Sequence, residues 1–167
     1  MPWDSPVSVT IADAAAALIS LNIKKPGSLR KENDAKLLEM LLNSRRFRDI
    51  ELFGYSYLFD AATQTQFSAV TFRPSKNKLY VFFRGTDSTL VGWKEDFNMC
   101  FVCPVPAQSN AVDYLNRIAA SNGGDITVGG HSKGGNLAVY ASAFCEQAAR
   151  RRITHIYNYD GPGFTED

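Results

Sequence analysis

The sequence predicts an α/β fold, a mostly parallel sheet flanked by helices, and three observations carry that prediction. Short apolar runs at residues 79–83, 126–128 and 153–159 read as strands. Helical stretches at residues 107–120 and 134–150 separate them, so strand, helix and strand recur at the spacing of a parallel crossover unit. The length, 167 residues, suits one domain with a real core and no need of disulfide staples. The expectation is a single domain over 1–167, with a helical segment to about residue 47 and a sheet core from about residue 48 onward.

The elements follow in order. Residues 14–21 are rich in Ala and Leu, and Ser8 or Thr10 can cap a helix there. Pro26-Gly27-Ser28 breaks the chain. A second helix over 33–43 shows a broad apolar face from Ala35, Leu37, Leu38, Met40, Leu41 and Leu42. Residues 50–60 and 66–73 are aromatic and β-branched, and Pro74-Ser75-Lys76-Asn77 turns the chain into the run at 79–83. Asn122-Gly123-Gly124 then ends the helix that starts near Ala107.

Composition removes several function classes. Hydrophobic residues at 45% and charged residues at 21% exclude a disordered or fibrous chain. Eighteen Lys plus Arg against 17 Asp plus Glu leaves +1, too balanced for nucleic acid or an anionic membrane as main partner. No apolar run approaches the roughly 20 residues of a membrane span. The stretch from Ile11 to Leu21 contains Asp13 and follows Asp4 instead of a basic cluster, so it is no secretory signal. Cys100, Cys103 and Cys145 form an odd, sparse set, which reads as reduced thiols in the cytoplasm. Cys100 and Cys103 spell C-x-x-C, but Pro104 and Pro106 follow at once, and no second pair completes a zinc site.

One motif carries chemistry: Gly130-His131-Ser132-Lys133-Gly134, the G-x-S-x-G form. It directly follows a strand and directly opens a helix, the setting of a nucleophile elbow. The nucleophile of such a turn is held in a strained backbone conformation, and side chains two before and two after it would collide with neighbouring backbone. Glycine at both places removes the collision. The helix N-terminus beside Ser132 offers backbone N–H groups to a developing oxyanion. Two blander readings are a helix-entry turn capped by Ser132 and a phosphate-binding turn; the second lacks its own G-x-x-x-x-G-K-[ST] pattern. His131 adjoins the nucleophile but points away from it on a sharp turn, so it packs on the sheet or supports the site. Phe83-Arg84-Gly85-Thr86-Asp87 lies at the carboxyl end of the strand at 79–83, the edge where ligand sites of open α/β sheets gather. Thr86 can offer its N–H and its hydroxyl beside the N–H of Lys133. An ion pair from Arg84 to Asp96 would hold that loop in shape.

Those residues sit in longer runs: Ser44-Arg45-Arg46-Phe47, Q-F-S-A-V-T-F at 66–72, F-R-G-T-D-S-T-L-V-G-W-K-E-D-F-N-M at 83–99, P-V-P-A-Q at 104–108, G-G-H-S-K-G-G-N-L-A-V-Y at 129–140, and Y-N-Y-D-G-P-G-F at 157–164. The chain resembles the bacterial Mbeg1-like proteins of the DUF2974 type, relatives of the class 3 (fungal-type) lipases within the α/β-hydrolase fold. The resemblance implies an α/β-hydrolase-like fold, a first oxyanion donor at Thr86 after F-R-G, and a second at the backbone of Lys133. Trp93 and Asp96 are similar to the W-x-x-D that follows in those lipases.

The resemblance also exposes a departure. A triad of this type runs Ser, then Asp or Glu, then His along the chain. The histidine that follows Ser132 is His155, four or five residues at about 3.3 Å each before the strand end, hence roughly 15 Å from the edge that holds Ser132. It is a poor base. Asp160 ends that strand at the correct edge and is the candidate acid, although by resemblance it matches a turn of the lipases. The chain therefore reads as C-terminally truncated, without the triad His or the final strands, and its open sheet edge invites self-association.

The function expected is a serine hydrolase of lipase or esterase type, acting on a carboxylic ester or acyl lipid through Ser132. The alternative is a non-catalytic α/β-hydrolase-like protein that binds a lipid or a protein. No cofactor or metal is called for, since serine acyl transfer needs neither.

Overall fold

A computed structural model describes residues 7–21 and 31–164. The break at Pro26-Gly27-Ser28 lies outside the described residues. In chain order the elements are β1 (Val9–Thr10), α1 (Ile11–Ser20), α2 (Lys31–Asn43), β2 (Glu51–Asp60), β3 (Thr65–Ser75), β4 (Lys78–Phe83), α3 (Leu90–Asn98), α4 (Pro106–Ser121), β5 (Asp125–His131), α5 (Lys133–Phe144), α6 (Gln147–Arg150) and β6 (Ile153–Tyr159). Thr10 does cap α1: its hydroxyl accepts the Asp13 N–H at 3.0 Å.

The six strands lie in the order β1-β2-β3-β4-β5-β6. Pairing is antiparallel from β1 to β4 and parallel from β4 to β6. The α/β class holds, but the sheet is mixed, which corrects the expectation of a mostly parallel one. Connection length explains the division. β2, β3 and β4 are joined by turns too short for a crossover, whereas helices carry the chain from β4 to β5 and from β5 to β6. The β2–β3 turn is held by Asp60, whose carboxylate accepts the N–H of Ala62 at 2.8 Å and of Thr63 at 3.4 Å. The bond from Ala62, with help from Thr63, keeps the Asp60 carboxyl below its ordinary range.

One helical expectation changes, and one helix is additional to those expected. The helix expected over 134–150 is two helices, because Cys145 and Glu146 are extended. Arg150 donates to the carbonyls of Ala143 and Cys145 at the end of α5, so the break leaves them satisfied. α3, hidden within a loop-like sequence, begins where the Thr89 hydroxyl accepts the Gly92 N–H at 3.0 Å.

The core lies between one face of the sheet and α4 and α5. Phe67, Leu79, Val81, Phe83, Ile126 and Val128 pack there against Leu115 and Leu137, all almost wholly buried. Each such side chain contributes about 1.5–3 kcal/mol by leaving water. Tyr114 crosses this core to share a 2.8 Å hydrogen bond with Thr71. Burial pushes the Tyr114 phenol well above its ordinary range, and Tyr80 is raised for the same reason. The folded phenol thus holds its proton more tightly than the unfolded one. Stability is fully present below about pH 10 and falls as pH rises beyond it, because the unfolded chain ionises first. Tyr114→Phe should cost about 1–3 kcal/mol at neutral pH by stranding Thr71. It should also flatten the alkaline loss in urea unfolding compared from about pH 9 to about pH 11.

On the opposite face β6 carries an exposed ladder. The rings of His155, Tyr157 and Tyr159 stack with centroids 6.1 and 5.9 Å apart.

Candidate active site

β5 ends at His131 and α5 begins at Lys133, so Ser132 alone forms the turn between them. Its backbone sits at φ 55° and ψ −131°. Residues with a side chain almost never occupy that region, and doing so costs on the order of 1–3 kcal/mol. The surroundings enforce it. Ser132 N–H donates to the Tyr159 carbonyl at 2.8 Å, while the Ser132 carbonyl accepts from Gly135 at 2.8 Å and Asn136 at 3.3 Å.

The glycines on either side are required by contact. A Cβ on Gly130 would lie 2.2 Å from the Gly134 oxygen, and one on Gly134 would lie 2.2 Å from the Phe83 oxygen. The tip of β4 is therefore pressed directly onto the elbow. A Cβ on Gly85 would meet the His131 oxygen at 2.7 Å and the Ser132 Cβ at 3.5 Å. The loop after β4 and the elbow after β5 thus converge, as the carboxyl ends of adjacent parallel strands should.

Thr86 follows Gly85 in that loop, and its hydroxyl is buried without a hydrogen-bond partner among the described residues. The loop is shaped by Asp87, whose carboxylate accepts both the N–H and the hydroxyl of Thr89. The expected Arg84–Asp96 pair does not form: Arg84 is exposed, and the ion pairs among the described residues lie elsewhere. Trp93 is likewise exposed. The acid that turns inward from α3 is Glu95, because the helical phase set by the Thr89 cap buries it and leaves Asp96 at the rim.

Glu95 meets the side chain of Lys133, and both are fully buried. Lys133 Nζ donates to the Gln66 carbonyl at 2.6 Å, to Gln66 Oε1 at 2.8 Å and to Glu95 Oε2 at 2.9 Å. An ammonium has three donors, and these acceptors use them all. Glu95 also accepts the N–H of Gln66 at 2.9 Å and of Ala107 at 3.0 Å. Such complete pairing is the condition under which two charges tolerate a dry interior. Sequence reasoning assigned Lys133 only a backbone role and missed this network. The available signal was a lysine among the small and apolar residues that open α5.

The remaining expected residues fall as follows. His131 is exposed, and no hydrogen bond joins its ring to Ser132 among the described residues. His155 pairs in register with Thr127, well back from the His131–Tyr159 end, and its Nδ1 lies 3.1 Å from the Thr154 hydroxyl. Asp160 stands at the site end of β6, exposed and at φ 51°. Behind it, Asn136 Nδ2 donates to the carbonyls of Pro162 at 3.0 Å and Gly163 at 3.2 Å, tying that turn to α5. Cys100 and Cys103 are exposed and Cys145 is buried, all as free thiols.

The geometry can be set beside known proteins. Among solved structures, a fungal lipase in complex with an inhibitor, reported as a model for interfacial activation in lipases, aligns at 17% identity and a TM-score of 0.42. The alignment covers 79% of this chain and 49% of that one, so the chain spans about half the length of that lipase. The search of curated proteins returned no match. Among the described residues no helix is long and apolar enough to cross a membrane. The Mbeg1-like family model matches residues 41–167, which take in both halves of the site. The chain belongs to the Mbeg1-like family.

Proposed function

We propose that the protein is a serine hydrolase that cleaves a carboxylic ester or acyl lipid, with Ser132 as nucleophile. The observation that carries this reading is the strained backbone of Ser132, held between β5 and α5 where glycine would be the relaxed choice. A helix-capping serine needs no such conformation, since a cap residue sits in ordinary extended backbone.

In this reading the Ser132 hydroxyl oxygen attacks the substrate carbonyl carbon, and its proton passes to a base. The carbonyl oxygen becomes an oxyanion and accepts the N–H of Lys133, which has no partner within its own helix, together with Thr86. Collapse expels the alcohol, which takes up the proton, and leaves an acyl-serine. Water then enters by the same route and releases the acid. The reading requires a base that His131 and His155 do not provide from where they lie. Asp160, at the site end of β6, is the candidate acid that would orient such a base.

Hydrolysis of a short-chain p-nitrophenyl ester tests this, because its phenolate leaves without being protonated and residual turnover at Ser132 can be read without the missing base. Ser132→Ala and Ser132→Gly should both bring turnover to background. Ser132→Gly should also raise unfolding stability by about 1 kcal/mol through release of strain, while Ser132→Ala keeps the strain and gains nothing. Turnover that survives either substitution, or a glycine variant no more stable than the alanine one, would sink the assignment.

A further inference from the structure

We propose that Gln66 is a positioning residue that sets the spacing between the two halves of the oxyanion site, braced from behind by the Lys133–Glu95 ion pair. This rests on reading Thr86 and Lys133 as the oxyanion donors. One side-chain oxygen reaches both halves. Gln66 Oε1 accepts from Lys133 Nζ at 2.8 Å and from the Asp87 N–H at 3.4 Å. Lys133 carries one proposed donor on its own backbone, and the Asp87 N–H belongs to the peptide that follows Thr86. The elbow and the β4 loop therefore hang from the same atom.

The rest of the network keeps that atom still. Gln66 is fully buried. Its own N–H donates to Glu95, and its own carbonyl accepts from Lys133 Nζ. Glu95 in turn is anchored on the N–H of Ala107 in the first turn of α4. α3, α4, α5 and β3 thus meet at one ion pair beneath the turn.

The orientation of the amide strengthens the case. Lys133 Nζ and the Asp87 N–H are both donors, so the oxygen must face them. Gln66 Nε2 is then buried with no partner among the described residues. A stranded buried donor is unfavourable. Methionine would remove the stranded Nε2 but would also leave one Lys133 proton and the Asp87 N–H without their shared acceptor. A device that holds two oxyanion donors at fixed separation is where such a sacrifice is expected, because a misplacement of about 1 Å can lower turnover roughly a hundredfold.

The test compares Gln66→Met, which keeps size and removes the acceptor, with Gln66→Glu, which keeps the acceptor. Gln66→Met should lower kcat for the p-nitrophenyl ester by roughly 10- to 100-fold with KM within about twofold, a loss larger than its fall in melting temperature accounts for. Gln66→Glu should recover most of kcat. In ¹⁵N relaxation of the same proteins, Gln66→Met should raise backbone mobility at Asp87 and Lys133, and Gln66→Glu should not. Unchanged kcat in Gln66→Met, or a loss that only tracks melting temperature and is not rescued by Gln66→Glu, would overturn the proposal. If the wild type shows no Ser132-dependent hydrolysis, the hydrolase reading falls by itself. The relaxation comparison then decides the tether: unchanged mobility at both amides refutes it.

Discussion

Glu95→Ala should destabilise the protein by about 3–5 kcal/mol in urea unfolding, the loss typical of a buried ion pair deprived of one partner. The carboxylate does more than neutralise a charge. Removing it leaves the Lys133 ammonium in a dry interior with only the two oxygens of Gln66. It also strands the N–H groups of Gln66 and Ala107, which bond to Glu95 at 2.9 and 3.0 Å. Asp96→Ala on the same helix should change stability by less than about 0.5 kcal/mol, as expected of a substitution that breaks no bond among the described residues. Equal unfolding midpoints for the two variants would contradict the burial of Glu95.

Gly134→Ala should be strongly damaging for so small a substitution. At an ordinary helical position it would be worth up to about 1 kcal/mol in favour of alanine. Here the new Cβ would stand 2.2 Å from the Phe83 oxygen, 2.9 Å from the Phe83 carbon and 3.0 Å from the Arg84 carbon. Those atoms are backbone and cannot swing aside. Relief requires the tip of β4 to move away from α5, which costs on the order of 1–3 kcal/mol as an overpacked core does. The same movement carries Gly85 and Thr86 away from Ser132, so turnover should fall by more than stability does, roughly a hundredfold or beyond. Gly123→Ala is the matching control, since nothing lies within 4 Å of its added Cβ. A Gly134→Ala protein with wild-type stability and turnover would refute the described packing of β4 on the elbow.

These two substitutions mark what could and could not be read from the sequence. The glycines of the elbow were legible because their spacing about Ser132 has a steric cause, and Gly130 and Gly134 do touch backbone. β6 was legible as a short strand following a helix, with the same bounds in the structure. The hairpins were visible as turns, but their consequence for strand direction was underweighted, so the sheet was expected to be mostly parallel. The choice between Glu95 and Asp96 was not legible. It depends on where α3 starts, and Leu90–Asn98 lacks the regular apolar spacing that would set its phase. Lys133 was read for its backbone alone, because a lysine beside a nucleophile suggests charge near a substrate before it suggests a bond beneath the turn. The role of Gln66 was invisible for a further reason: its partners lie far along the chain in both α3 and α5.

The most direct test of the account is covalent labelling by a fluorophosphonate probe, followed by peptide mapping. A phosphonyl adduct should form on Ser132, require the folded protein, slow markedly in Gly134→Ala and vanish in Ser132→Ala. An adduct on another serine, or none under conditions where the protein is folded, would contradict the identification of Ser132 as a nucleophile.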